Sequence, residues 1–405
     1  MRILQINTSV AKTSIGRLIE LLGHEIIRHG GEVSVAHGHR YAGATKLPHF
    51  PIGHTADEYI HALRARLCDS DGLGSVRATR NLLREIDAFD PDIIHLHNLH
   101  GYYLNYPLLT DYIARRNIST VITLHDMWLL TGHCSHPVEG CGKWKSGCHA
   151  CPGKNVYPAS LTDSSERNHA AKIHAVTQIP DLHITAVSQW IADMARQSLM
   201  LKHRPIDISV IYNGINTSTF RPVESDIRHR IGERHLVLGC ALPFGKRKGY
   251  DDFIRLRSLL SEEYAIALIG VNSRQMRQLT RNGIIGVAPM ESSAELARWY
   301  SAADVFVNPT YNEALSCTNI EAQACGTPVV TYRTGGCPET ICPSTGLTVD
   351  RGDIASMAGA IERICDIGKA SYSVACRRRA TEIFGHAIFT TNYLNLYSEI
   401  SRRKN

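Results

Sequence analysis

Three clusters of residue types in this chain could do chemistry. In the run NPTYNEALSCTNIEAQACGTPVV, residues 308–330, Glu313 and Glu321 stand at E-x7-E spacing. An apolar strand precedes the first glutamate, and a helix beginning near Ser316 carries the second. A helix N-terminus exposes unpaired backbone N–H groups and a partial positive charge, which suits a phosphate. The carboxylate of Glu321 could accept hydrogen bonds from two adjacent hydroxyls, as on a ribose. Glu313, at the loop tip, could face the sugar end of the same ligand. Either glutamate alone reads as an acidic loop residue or an exposed helix residue. The pair in this setting points to a phosphorylated, polyhydroxylated ligand.

The second cluster is histidine-rich. His95-Leu-His97-Asn98-Leu-His100-Gly101 and Thr123-Leu-His125-Asp126-Met-Trp each close an apolar strand. His125 is a candidate for facing a sugar, set against a surface or satisfied core histidine. Asp126 reads either as a base towards an acceptor hydroxyl or as an N-cap. His97 and Asn98 are candidates for acceptor contacts; a metal there is disfavoured, because no nearby carboxylate completes a ligand set. The third cluster is Cys134, Cys141, Cys148 and Cys151, spaced C-x6-C-x6-C-x2-C, with His133, His136 and His149 as alternative ligands. Only the last pair has the tight spacing of a zinc knuckle. A structural zinc is the preferred reading, against free thiols packed with Trp144, a labile disulfide, or an iron–sulfur centre.

The elements that must position these residues alternate. Arg2 to Ile6 is extended and apolar, and Ile15, Leu18, Ile19, Leu22 and Ile26 recur at helical spacing behind Thr13 or Ser14. Strands are expected at Val33 to Ala36, Asp92 to Leu96, Thr120 to Leu124, His183 to Val187 and Ile208 to Tyr212. A polar stretch from Thr217 to roughly Arg230 reads as a linker, and the alternation then restarts at His235. Strands alternating with helices predict parallel sheets covered on both faces. Two such α/β halves place the expected active site in the cleft between them, outside the carboxyl ends of the strands.

Composition narrows the class. With 405 residues, 43% hydrophobic and 20% charged, the chain is globular and long enough for two domains. A net charge of +6 is too mild for a dedicated nucleic-acid binder. No run approaches the roughly 20 apolar residues of a membrane-spanning helix. The opening strand is unlike a signal peptide, so the twelve cysteines are expected reduced or metal-bound in a soluble cytoplasmic protein.

The segment around Glu313 and Glu321 closely resembles the donor-site signature of family four of the retaining nucleotide-sugar glycosyltransferases, which have the GT-B fold. The resemblance extends along the chain through Asn213-Gly214-Ile215-Asn216, Lys248-Gly249, Gly335-Gly336 with Glu339, and a last helix bearing Phe389, Tyr393 and Tyr397. The Thr123-Leu-His-Asp-Met-Trp segment and the cysteine elements after it look most like transferases that build colanic acid and other bacterial surface polysaccharides. The resemblance implies an α/β GT-B fold of two Rossmann-like domains across a cleft. Residues 1–216 would form an acceptor-binding domain with a Cys-rich loop at 131–153, and residues 217–385 a donor-binding domain. A helix over 386–405 would cross back onto the first.

By the same resemblance Glu321 binds the donor ribose, Glu313 lies beside the transferred sugar, and the amides of Ala314, Leu315 and Ser316 hold the diphosphate. Lys248 neutralises the leaving diphosphate. His125 faces the sugar, and Gly16 matches the last glycine of an N-terminal glycine-rich loop whose preceding glycines are absent here. The family's usual arginine, five or six residues before the lysine, is replaced by Pro243 and Leu242, leaving Lys246 or Arg247 to supply that charge. The implied reaction retains configuration through an oxocarbenium-like state, needs neither an enzyme nucleophile nor a divalent metal, and uses a nucleotide-diphosphate sugar and a glycan or polyprenyl-diphosphate-linked acceptor. Contact with the inner membrane face is compatible with the charge. Two other readings are an epimerase or hydrolase of nucleotide sugars on the same fold, and a zinc-ribbon module gripping nucleic acid.

Overall fold

The computed structural model describes residues 1–290 and 292–404. Asn405, the last residue of the expected C-terminal helix, lies outside the described residues. The chain divides into two compact units. One holds Met1–Ile211 and the residues from Thr390 onward; the other holds Tyr212–Phe389.

The first unit is built on seven strands: β1 (Arg2–Val10), β2 (Glu32–Ala42), β3 (His49–Pro51), β4 (Ile93–Leu96), β5 (Ser119–Leu124), β6 (Leu182–Ala186) and β7 (Ile208–Val210). They pair in parallel in the order β3-β2-β1-β4-β5-β6-β7. Every residue of β4 and β5 is buried. That explains their continuous rather than alternating apolar runs, since both faces of a parallel sheet are covered. The helix Ser14–Arg28 starts at Thr13, whose hydroxyl accepts from the Gly16 amide, and buries Leu18, Ile19, Leu22 and Ile26 on one face.

The second unit repeats the plan with β8 (His235–Cys240), β9 (Tyr264–Ile269), β10 (Ile285–Val287), β11 (Val305–Asn308), β12 (Val329–Tyr332) and β13 (Gly346–Val349), in the parallel order β10-β9-β8-β11-β12-β13. Its core joins Val237, Phe253, Ile266, Val305, Val330 and Ile361. Three of the short strands, β3, β10 and β13, lie at sheet edges, and their few residues carry no clear apolar run.

The stretch expected as a linker is packed on the second unit instead. Phe220 is buried, Ile227 and Ile231 turn inward from the short helix Ile227–Ile231, and Arg377 donates to the carbonyls of Thr217 and Phe220 at 2.9 and 2.6 Å. Its polar side chains are mostly exposed or half-buried, and its few apolar ones hold it to the unit. The final helix His386–Lys404 joins the first unit through buried Tyr393 and Tyr397. The Tyr393 hydroxyl bonds Thr123 and Thr185 at 2.8 and 3.1 Å, and the Tyr397 hydroxyl lies 2.6 Å from His95 Nδ1.

Candidate active site

Both sheets reverse winding direction once: between β1 and β4, and between β8 and β11. Open α/β sheets bind ligands outside the carboxyl ends of strands at such a reversal. In the second unit the loops leaving β8 and β11 carry Lys248 and Glu313, and their side chains form an ion pair, each about one-fifth exposed. Two glycines set this geometry. Gly249 has φ +70°, and a Cβ there would lie 2.3 Å from the Pro309 carbonyl oxygen. At Gly335, φ +53°, a Cβ would lie 1.8 Å from the carbonyl oxygen of Glu313. Only glycine lets both loops close on the glutamate. The Gly336 amide then donates to the Glu313 carbonyl at 3.1 Å.

Arg247 donates to the Asn312 carbonyl at 2.9 Å, so its guanidinium braces the glutamate loop. The end of β11 is tied to the next helix, Cys317–Ala324, by Asn308, whose side-chain amide donates to Ser316 Oγ (2.9 Å) and Asn319 Oδ1 (2.8 Å). Ser316 caps that helix by accepting from the Asn319 amide. Ala314 and Leu315 bury their side chains, leaving only their backbones for a ligand. The backbone N–H groups of Ala314, Leu315 and Ser316 donate to no group among the described residues. Glu321 accepts from the Tyr300 hydroxyl at 3.1 Å. The Cys317 thiol lies among these charges. Burial first, then Glu321 and Glu313, push it up to about 12 while Lys248 opposes them, so it stays protonated. Lys248, Glu313 and Glu321 are thus brought together around one thiol.

In the first unit Gly16 sits against the loop after β1. A Cβ there would meet Ser9 Oγ at 3.0 Å and the Ala11 amide nitrogen at 3.1 Å, so packing within the unit is already tight at this glycine. His97 and His125 follow β4 and β5, with His97 Nδ1 3.0 Å from His125 Nε2. The Asn98 amide donates to Asn7 Oδ1 at 3.3 Å, which joins the ends of β1 and β4. Asp126 is fully engaged. Its Oδ1 accepts from the Trp128 amide at 2.8 Å, and its Oδ2 lies 2.9 Å from His100 Nε2. Burial would raise its pKa, but His100 outweighs burial and holds Asp126 at about 2. His100, Asp126's partner, lies in the same histidine run as His97, but chain spacing does not pair it with Asp126. Tyr300 left no signal at all, since it sits in an ordinary amphipathic helix.

The four cysteines Cys134, Cys141, Cys148 and Cys151 are free thiols lining one small cavity with Trp144. Cys148 Sγ accepts from the Gly132 amide at 3.2 Å. Cys151 is held down at about 6, chiefly by the Cys134 thiol donating to it. His133 is taken by Asp69 at 2.5 Å. Among the described residues no three His, Cys, Asp or Glu side chains are grouped to hold a metal ion. The loop is clamped from below by Lys172, buried, whose ammonium donates to the carbonyls of Trp128 and Thr131 (2.7 and 3.1 Å) and lies 3.4 Å from the Trp128 ring centroid.

Burial is the largest influence on the protonation of eight histidines in the first unit. It lowers His125 to about 4 and His169 to about 4, puts His95 and His97 well below the ordinary range, and also lowers His37 and His61. For His100 and His133 burial also lowers the pKa, but Asp126 and Asp69 reverse the sign and raise it. A depressed histidine binds its proton in the unfolded chain first, so its stabilisation is lost as pH falls below about 6.5. A raised histidine contributes below that pH and loses its contribution as pH rises. Six depressed rings outweigh two raised ones. The melting temperature should therefore fall between about pH 7 and pH 5, and His95→Gln should narrow the drop. A flat thermal profile across that range would contradict this protonation scheme.

Comparison with known proteins gives the family and the fold. Residues 15–219 match the family described as Glycosyltransferase Family 4, and residues 234–366 match Glycosyl transferases group 1. WcaC of Escherichia coli K12, named as a colanic acid biosynthesis glycosyl transferase, is 24% identical over 374 residues, spanning 88% of this chain and 89% of that protein. A D-inositol 3-phosphate glycosyltransferase of Xylanimonas cellulosilytica is 30% identical over 49% of this chain and 52% of its own length. Among solved structures, Anabaena HepE in complex with UDP shares the fold at a TM-score of 0.68 and 15% identity, over 98% of this chain and 100% of that one. The architecture is the two-domain α/β GT-B fold, and the chain belongs to glycosyltransferase family 4.

Proposed function

We propose that this glycosyltransferase moves a sugar from a nucleotide-diphosphate sugar to a glycan or polyprenyl-diphosphate-linked acceptor, with retention of configuration, in the assembly of a bacterial surface polysaccharide. One observation carries the reading: Lys248, Glu313 and Glu321 converge at the β8/β11 reversal beside the free amides of residues 314–316. A carboxylate suits ribose hydroxyls, and amides with an ammonium suit a diphosphate. The UDP in the HepE structure supports a uridine nucleotide as the first donor to test. The WcaC likeness, which spans most of both chains, supports a surface-polysaccharide acceptor over a small phosphorylated polyol.

Catalysis follows from charge. As the sugar–phosphate bond breaks, negative charge grows on the departing diphosphate, and Lys248 stabilises it there. The acceptor hydroxyl attacks from the same face and no enzyme nucleophile is required; His97, Asn98 and Asp126 are assigned to acceptor contacts. The protonated Cys317 thiol and the ion-paired Glu313 carboxylate are both poor nucleophiles, in keeping with that scheme. Divalent metal is not required in this scheme, because Lys248, Arg247 and the amides offset the diphosphate. Glu321→Ala should weaken UDP-sugar binding about 10- to 100-fold in a folded protein, read by thermal shift. Lys248→Met should lower kcat about a hundredfold. Unchanged donor affinity in folded Glu321→Ala, or a product of inverted anomeric configuration by NMR, would refute the scheme.

Peripheral membrane association is supported by the helix Thr55–Cys68, which exposes Tyr59, Ile60, Leu63 and Leu67 on one face beside Arg64, with Arg40 over the Tyr59 ring at 4.9 Å. No described helix is long and apolar enough to cross a membrane. Flotation with anionic phospholipid vesicles should recover the protein, and Leu63→Glu should reduce the recovered fraction; equal recovery would remove the idea.

A structural zinc in the Cys-rich loop is supported by four free thiols on one cavity, and it requires those thiols to turn inward around the ion. Elemental analysis should then find about one zinc per chain. Folded, metal-free protein would exclude it.

A further inference from the structure

Two histidine rungs stack at the ends of β4 and β5. Side chains two apart on a strand share a face, and these two strands are parallel neighbours. His95 therefore meets Thr123 (Nε2 to Oγ1, 2.7 Å), and His97 meets His125 (Nδ1 to Nε2, 3.0 Å). The His95 and His97 rings lie 4.0 Å apart, and the lower rung is fixed by Tyr397, whose hydroxyl is 2.6 Å from His95 Nδ1. In the upper rung the two outer nitrogens, His97 Nε2 and His125 Nδ1, are buried and have no hydrogen-bond partner among the described residues. His97 itself is 5% exposed, and both rings line a small cavity with Asn98, His100 and Asp126.

A short contact between two imidazole nitrogens needs one N–H and one bare nitrogen. Burial disfavours the charged form of both rings, so each carries a single proton. The shared hydrogen bond then couples their tautomers. If His97 Nδ1 donates, His97 Nε2 is bare and His125 Nδ1 carries the proton. If His125 Nε2 donates, the roles of the outer nitrogens exchange. Either way the pair presents one donor and one acceptor, a set that matches hydroxyls of a sugar and that a lone histidine does not fix.

We propose that His97 is a positioning residue that ties the tautomer and orientation of His125 to its own, so that His125 presents a held imidazole nitrogen to a sugar hydroxyl. The proposal rests on the transferase reading, in which His125 faces the sugar. It reaches beyond that reading by assigning to His97 an action through another side chain.

The test uses full-length protein with ¹⁵N-labelled histidine. In the wild type, ring nitrogen shifts read without any substrate should show both rings neutral, with the same share of the Nδ1–H form in His97 and His125. His97→Phe, which keeps the ring's bulk but removes its nitrogens, should change that share in His125, whose Nε2 loses its partner. It should also lower kcat about 10- to 100-fold with donor KM and melting temperature little changed. His97→Asn, whose amide can occupy the place of Nδ1, should recover most of the rate. Unequal shares in the two wild-type rings, an unchanged share in His97→Phe, or no recovery of rate in His97→Asn overturns the proposal. Absence of sugar transfer by the wild type would sink the transferase reading alone, since the nitrogen shifts are read without substrate.

Discussion

The reversal of strand order is the constraint on which the rest depends. Where a parallel sheet winds outward in both directions from two neighbouring strands, the connections leaving those strands pass to opposite faces and leave their carboxyl ends uncovered. In this chain the reversals fall at β1/β4 and β8/β11. Asn7 and His97 emerge at the first; Lys248 and Glu313 emerge at the second. Loops of quite different sequence thereby converge without any local signal directing them to one another.

Charge in these regions is balanced by neighbours, not by solvent. The Lys248 ammonium is matched by Glu313, Glu321 is held by the Tyr300 hydroxyl, and Asp126 is held by His100 and the Trp128 amide. The thiol among the second unit's charges remains neutral, and so do the paired imidazoles of the first. Each half therefore keeps its polar groups oriented while limiting fixed charge in a poorly hydrated place, where an unpaired charge is costly.

The Cys-rich loop shows the same economy. Between Leu124 and the helix Ser165–Thr177 the backbone has only two short 3₁₀ turns, so its carbonyls need partners from elsewhere. Lys172 supplies them to Trp128 and Thr131. Burial lowers its pKa to about 8, yet nearby Asp71 and the cavity thiols favour the ammonium, and the indole face of Trp128 lies against it. This loop is held by one buried cation at its base and by sulfur contacts at its tip.

The fold was legible because its central strands are buried on both faces and read as largely apolar runs, some followed by a capped helix, as at Thr13 and Ser316. Gly249 and Gly335 were legible as motif glycines, although the reason, the approach of Pro309 and of the Glu313 carbonyl, is visible only in three dimensions. The short edge strands and the packed Thr217–Arg230 stretch were not legible, since their partners lie far along the chain: Arg377 for the carbonyls of Thr217 and Phe220, β2 for β3. The same holds for His97 on His125, His100 on Asp126 and Tyr300 on Glu321. Sequence alone determined which strand each candidate side chain follows, because burial and capping are local. Pairing between them was decided by strand order and register, which bring into contact residues that chain spacing leaves apart.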